Sequence, residues 1–305
     1  MYRLMSAWAL APFAMLAACT GAEVAGAADP RGGAMAPSFA SDRITVQVRG
    51  SGPDVILIPG LTSSRKIWDR AVAATPGYRY HLVQLNGFAG APVRGNAEGL
   101  VTAEAAEEVV RYIREAGLQK PAVVGHSMGG AIALMAAARH PGSVGRAMVI
   151  DMLPFMGLLF GPPGSTPDSL RDTADRLRDQ MAGAPAVAWA IGAQQNMSSM
   201  VRAENMRTLP VHDAQASDKG VAARAMHELI TTDLRPELKN ITIPVTVLYV
   251  KSPSTPLNEA QTDAVVRASY AGLPKAKRTR IPDAYHFIMF DQPERFAQEL
   301  KAFLQ

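Results

Sequence analysis

The run Gly125-His126-Ser127-Met128-Gly129 sets one hydroxyl between two glycines, where the apolar "PAVVG" gives way to the alanine-rich "GGAIALMAAARHPG". Glycine is a poor residue for the interior of either a strand or a helix. The spacing fits a steric demand instead. A serine that projects its Oγ above the end of a sheet needs a very sharp strand-to-helix turn, which crowds the residues two before and two after it against each other. Gly125 and Gly129 fill those two places. The helix leading out would turn its N-terminal partial positive charge toward the hydroxyl. The chemistry open to such a serine is nucleophilic attack, once a base takes its proton. The chain carries six histidines, His81, His126, His140, His212, His227 and His286. No two of them have metal-ligand spacing, and His227-Glu228 lacks the second histidine of an H-E-x-x-H site.

The flanking pattern says what must position this serine. "RITVQVRG" from residue 43 alternates as a half-exposed strand does. "DVILIPG", "YHLVQLNG", "PAVVG", "RAMVID" and "PVTVLYV" are short continuous apolar runs, as expected of strands covered on both faces. "AEAAEEVVRYIREAG" has helical spacing and stops at Gly117. Strands alternating with helices imply an α/β fold with a mostly parallel sheet and helices on both faces. Residues 152–240 break the alternation and read as a helical insertion. "AKRTRIP" then offers a last strand and "QPERFAQELKAFLQ" a closing helix.

With strand and helix on either side, the pentapeptide resembles the G-x-S-x-G nucleophile elbow of the α/β-hydrolase family. The likeness extends over residues 43–305, through the upstream "IPGL" and the downstream "AYHFIMFDQPERF". The resemblance implies an α/β-hydrolase core over 43–151 and 241–305, with a helical cap at 152–240 inserted between the sixth and seventh strands. It also implies Ser127 as nucleophile and His286, between the last strand and the final helix, as its base. For the oxyanion hole it implies the Met128 N–H, which follows the nucleophile, and the Leu61 N–H in "ILIPGLTSS". Many relatives carry the acid after the strand matching "PVTVLYV", but here that loop, Lys251 to Pro256, has no carboxylate. Others place it at the end of the preceding strand, where this chain has Asp151. The order Ser127, Asp151, His286 is kept, and Asp151 is the expected acid. Asp283, Glu259 and a pair assisted by Ser252 or Ser254 are the alternatives.

The remaining features bound the setting. Hydrophobic residues make up 48% of the 305, enough for a sizeable core. The formal charge of +4 comes from scattered Lys and Arg, not from basic patches interleaved with aromatics, so nucleic-acid binding is unsupported. Residues 1–18 read as a signal peptide: Arg3, then an apolar run too short for a membrane span. That run ends Leu16-Ala17-Ala18-Cys19, which resembles a bacterial lipobox. The resemblance implies cleavage before Cys19, lipidation of its thiol and a membrane anchor; the alternative is cleavage near residues 25–27 and a soluble periplasmic protein. Residues 19–42, rich in Ala, Gly, Pro and Ser, read as a tether. The lone cysteine leaves no disulfide.

Together these readings point to a serine hydrolase that cleaves small-molecule carboxylic esters through an acyl-enzyme, exported to the cell envelope, with no metal or organic cofactor implied. The apolar "MLPFMGLLFGPPG" hints at a hydrophobic acyl or aromatic substrate, with Phe155, Leu158 and Phe160 as pocket residues. Hydrolysis of C–C bonds, amides or lactones, or a perhydrolase reaction, would use the same elbow. A non-catalytic envelope lipoprotein with a degenerate pocket is the reading from another class.

Overall fold

The computed structural model describes residues 39–305. The signal peptide, Cys19 and most of the expected tether lie outside the described residues. Seven strands form one sheet: β1 Ile44–Gly50, β2 Asp54–Ile58, β3 Arg79–Leu85, β4 Ala122–His126, β5 Arg146–Ile150, β6 Val245–Tyr249 and β7 Lys277–Arg280. Their spatial order is β1-β3-β2-β4-β5-β6-β7. β1 runs antiparallel to β3 at one edge, and every other pair is parallel. The helices are α1 Asp69–Ala74, α2 Thr102–Glu115, α3 Met128–Arg139, α4 Arg171–Gly183, α5 Ala186–Met200, α6 Thr208–Gln215, α7 Lys219–Thr231, α8 Glu259–Ser269, a short α9 Ile288–Asp291 and α10 Pro293–Leu304.

Successive strand residues point to opposite faces, and the apolar runs feed two cores. Ile56, Ile58, Val123, Val149 and Val247 pack with α2 and α3. Val55, Leu57, Val124, Met148, Ile150 and Leu248 pack with Trp68 and α10 on the other face. The Trp68 ring lies 6.3 Å from the Phe296 ring of α10. Every residue of α3 from Met128 to Ala138 is buried. Its alanines and glycines let that helix lie close against the central strands.

The stretch between β5 and β6 holds α4 to α7, the helical insertion. It follows the fifth strand, not the sixth as expected. One antiparallel strand, β1, closes the edge beyond β3, and no further strand precedes it among the described residues. The insertion is tied to the core by polar contacts. The buried Glu228 of α7 accepts hydrogen bonds from the N–H groups of Val101, Thr102 and Ala103, at 2.8, 2.8 and 2.7 Å. These are donors that the first turn of α2 would otherwise leave unpaired.

Candidate active site

The end of β4 turns into α3 through a single strained residue. Ser127 has φ +53° and ψ −123°, a region that a residue with a Cβ enters only under constraint. Sterics explain the glycines beside it. A Cβ on Gly125 would lie 2.0 Å from the Gly129 carbonyl oxygen, and one on Gly129 would lie 2.3 Å from the Ile58 carbonyl oxygen. Both contacts are with backbone, which cannot swing aside. Ser127 itself is half-buried, and its N–H is held by the Ile150 carbonyl at 2.8 Å.

Asp151 follows β5 directly and also has positive φ, +49°. Three contacts hold it. Its N–H donates to the Leu248 carbonyl at 2.7 Å, its Oδ1 accepts from the Val250 N–H at 3.1 Å, and its Oδ2 lies 2.6 Å from His286 Nδ1. A carboxylate can only accept, so Nδ1 carries the proton and Nε2 keeps its lone pair. The neighbouring Met152 carbonyl accepts from the Tyr270 hydroxyl at 2.7 Å, and Tyr270 is fully buried. Burial pushes that phenol far above its usual pKa, with the Asp151 charge adding to the shift, so it stays a donor.

His286 lies in the loop between β7 and α9. Its carbonyl sits 3.0 Å from His126 Nε2, and the two imidazole rings are 4.6 Å apart. Because a carbonyl only accepts, His126 Nε2 is the protonated nitrogen. Its Nδ1 is buried without a partner. Complete burial, and secondarily the positive charge His286 can carry, hold the His126 pKa well below that of a free imidazole, so it is neutral. The loop is fixed from below by Asp291, whose carboxylate accepts the Tyr285 N–H at 2.8 Å and the Ala203 N–H at 2.9 Å.

Across from the elbow, the loop after β2 makes a turn in which the Ser63 N–H bonds the Gly60 carbonyl at 3.2 Å. Its third residue, Thr62, has φ +57°. Glycine or asparagine usually takes that place, and a β-branched residue there is strained by about 1–2 kcal/mol. A Cβ on Gly60 would come within 3.0 Å of Ser127 Cβ, so this loop lies directly against the elbow. Among the described residues, the N–H groups of Leu61 and Met128 have no hydrogen-bond partner within the protein. Two free backbone donors beside a projecting serine suit an oxygen that develops negative charge.

The family model described as Alpha/beta hydrolase family matches residues 55–299. The chain belongs to that family. Among curated relatives of this α/β hydrolase is a pimeloyl-(acyl-carrier protein) methyl ester esterase of Vibrio vulnificus (strain YJ016), 24% identical over 258 residues, which cover 84% of this chain and 96% of the relative. Among solved structures, the enol-lactonase of Burkholderia xenovorans LB400 superposes with a TM-score of 0.66 at 19% identity, over 86% of this chain and 96% of its own. The esterase EaEST of Exiguobacterium antarcticum gives 0.68 at 21% identity, over 86% and 95%.

The other sequence candidates sit elsewhere. Asp283 pairs with Arg202 at 2.6 Å, Glu259 with Arg280 at 2.9 Å, and the Ser252 and Ser254 hydroxyls with each other at 2.7 Å. His81 is buried between Tyr112 and Asp54, His140 pairs with Glu107, and His227 with Asp175. His212 is exposed. Phe155 is a correction: it is wholly buried in the insertion's own cluster with Leu170, Ala174 and Ile230, and Leu158 and Phe160 pack against that cluster. The reason is that an insertion of this size needs an apolar core of its own, and these residues supply it. Among the described residues no group of three or more His, Cys, Asp or Glu is placed to hold a metal ion. No sequence signal marks Tyr270 or Asp291: Tyr270 reaches a carbonyl 118 positions away, and Asp291 ties the nearby Tyr285 N–H to an N–H 88 positions away.

Proposed function

We propose that this α/β hydrolase is a serine esterase that works through an acyl-enzyme. Ser127 Oγ attacks the ester carbonyl while its proton passes to His286 Nε2. The tetrahedral oxygen takes hydrogen bonds from the Leu61 and Met128 amides. Collapse breaks the ester C–O bond, and His286 returns the proton to the leaving alcohol. A water then attacks the acyl-enzyme, giving its proton to His286, and the acid leaves as Ser127 is restored. Asp151 holds the ring with its Nδ1 protonated and stabilises the imidazolium that forms twice per cycle.

The observation that carries this reading is the 2.6 Å contact between Asp151 Oδ2 and His286 Nδ1, at the sheet end where Ser127 is held at φ +53°. The named relatives, which act on esters and an enol-lactone, support the same class. A chain-length series of p-nitrophenyl esters tests the reading when run beside lactones and anilides on mature protein. Faster ester than anilide turnover, with a pre-steady-state burst of nitrophenol, is expected. Anilide or lactone turnover that outruns every ester would reassign the reaction.

We also propose export and lipid attachment at Cys19, on the strength of the "LAAC" run. Palmitate labelling that is lost in Cys19→Ser is the expected result. Equal labelling of both proteins would end that proposal.

A further inference from the structure

The loop after β2 is held by groups that do not belong to it. Ser64, which opens the short 3-10 turn Arg65–Trp68, has no side-chain cap of its own. Its N–H is taken by Asp213 Oδ2 at 2.8 Å, from helix α6 of the insertion, 149 residues away. The next N–H, Arg65, is taken by Gln84 Oε1 of β3 at 3.0 Å. Asp213 is 3% exposed. A carboxylate so buried stands out, because such groups stay in water unless they are paired. The corner after α6 reaches the same loop. Ser217 Oγ lies 3.3 Å from the Thr62 carbonyl and 2.8 Å from the Asp213 carbonyl, and it accepts the Ala89 N–H at 2.9 Å. Between these anchors and β2 lies the strained turn at Thr62, with the free Leu61 N–H one residue before it.

We propose that Asp213 is a positioning residue for the oxyanion hole: a carboxylate of the cap that pins the Gly60–Ser64 loop and so keeps the Leu61 N–H aimed at the reacting carbonyl. This rests on the esterase reading above. A strained conformation persists only while its surroundings over-determine it. Removing the Asp213 contact frees the Gly60–Ser64 loop to relax away from the strained turn at Thr62, and the Leu61 N–H, carried by the same loop, loses its fixed aim. The seating of α6 on the core is thereby coupled to turnover, although Asp213 touches no reacting atom. An oxyanion donor acts mainly in the transition state, so its misplacement lowers kcat with little change in KM.

The test compares wild type, Asp213→Ala, Asp213→Asn and Ser217→Ala, each as mature protein. The measurements are kcat and KM for p-nitrophenyl butyrate, Ki for a trifluoromethyl ketone, and amide hydrogen exchange of the peptide 59–68. Loss of one whole oxyanion donor costs about 10²–10³-fold in kcat. Asp213→Ala, which displaces the donor without deleting it, is expected to lower kcat about 30–100-fold with KM within about 2-fold. It should weaken the ketone by a similar factor and speed exchange in 59–68. Asp213→Asn keeps an acceptor for the Ser64 N–H and should recover to within about 5-fold of wild type. A role in stability alone predicts a lower melting temperature with kcat per folded molecule unchanged, and that outcome overturns the proposal. So does unaltered exchange in folded Asp213→Ala. If Asp213→Ala does not fold, Ser217→Ala carries the same kcat-against-KM test, and an unchanged kcat there overturns the proposal as well. Wild-type protein that hydrolyses no ester would instead overturn the esterase reading, and the exchange measurement would still decide whether the cap carboxylate holds the loop.

Discussion

Replacing Asp151 by asparagine keeps the shape and changes the proton inventory. In the native protein Oδ1 accepts the Val250 N–H and Oδ2 accepts the His286 Nδ1–H. An amide has one acceptor and one donor. With its oxygen toward Val250, its NH₂ faces His286 Nδ1, which must then become the acceptor. The ring proton moves to Nε2, and no lone pair remains to receive the Ser127 proton. The reverse orientation opposes two donors at Val250 and forfeits a hydrogen bond, at roughly 1–3 kcal/mol for each effect. Reaching the productive tautomer therefore costs about 4 kcal/mol, or ~10³-fold. Loss of the negative charge that stabilises the imidazolium raises the expected fall in kcat to about 10⁴-fold. The assay is kcat and KM on p-nitrophenyl butyrate, with urea unfolding to verify that the variant is folded. A folded Asp151→Asn protein within about 10-fold of wild type would refute the tautomer argument and remove Asp151 from the mechanism.

Gly129→Ala would drive a Cβ to 2.3 Å from the Ile58 carbonyl and 2.7 Å from that of Pro59. It is expected to lose ~3 kcal/mol or more in urea unfolding. Gly192→Ala, in mid-α5 with nothing within 4 Å, should gain about 0.5–1 kcal/mol. Glu228→Ala leaves the N–H groups of Val101, Thr102 and Ala103 without their acceptor. At about 1 kcal/mol each, the expected loss in urea is ~3 kcal/mol. His126 and His81 both have pKa values lowered first by burial, so both are neutral in the fold and take up protons on unfolding below pH about 6.5. The unfolded chain then binds more protons, so stability falls as pH drops through that value and levels off below the depressed folded-state values. The slope approaches ~1.4 kcal/mol per pH unit for His126, the more strongly shifted ring, and His81 adds in the same direction. Urea midpoints that stay flat from pH 7.5 to 5.5 would contradict this.

The sheet was legible because its strands are buried on both faces and must be written as apolar runs. The four central strands, β2, β4, β5 and β6, coincide with "DVILI", "AVVGH", "RAMVI" and "VTVLY". The elbow was legible because sterics leave only glycine at 125 and 129. Asp151 was reachable only through the family's chain order, since nothing local separates an acid at a strand end from any other aspartate. The insertion resisted reading. An apolar stretch such as "MLPFMGLLF" can line a pocket or fill a core, and packing across the insertion, through Leu170 and Ile230, decides for the core. Glu228 follows His227, as in the first half of an H-E-x-x-H site. It instead binds backbone 125–127 residues away, and such long-range pairing leaves no periodicity in the sequence.

Ester hydrolysis by this protein depends on an activated hydroxyl at residue 127, and a fluorophosphonate probe measures that directly. Intact-mass and peptide analysis of the folded, mature protein should find one equivalent of adduct, on the peptide containing Ser127. Labelling should vanish in Ser127→Ala and slow by orders of magnitude in His286→Ala. A folded wild-type protein that stays unlabelled, or is labelled equally fast without His286, would contradict it.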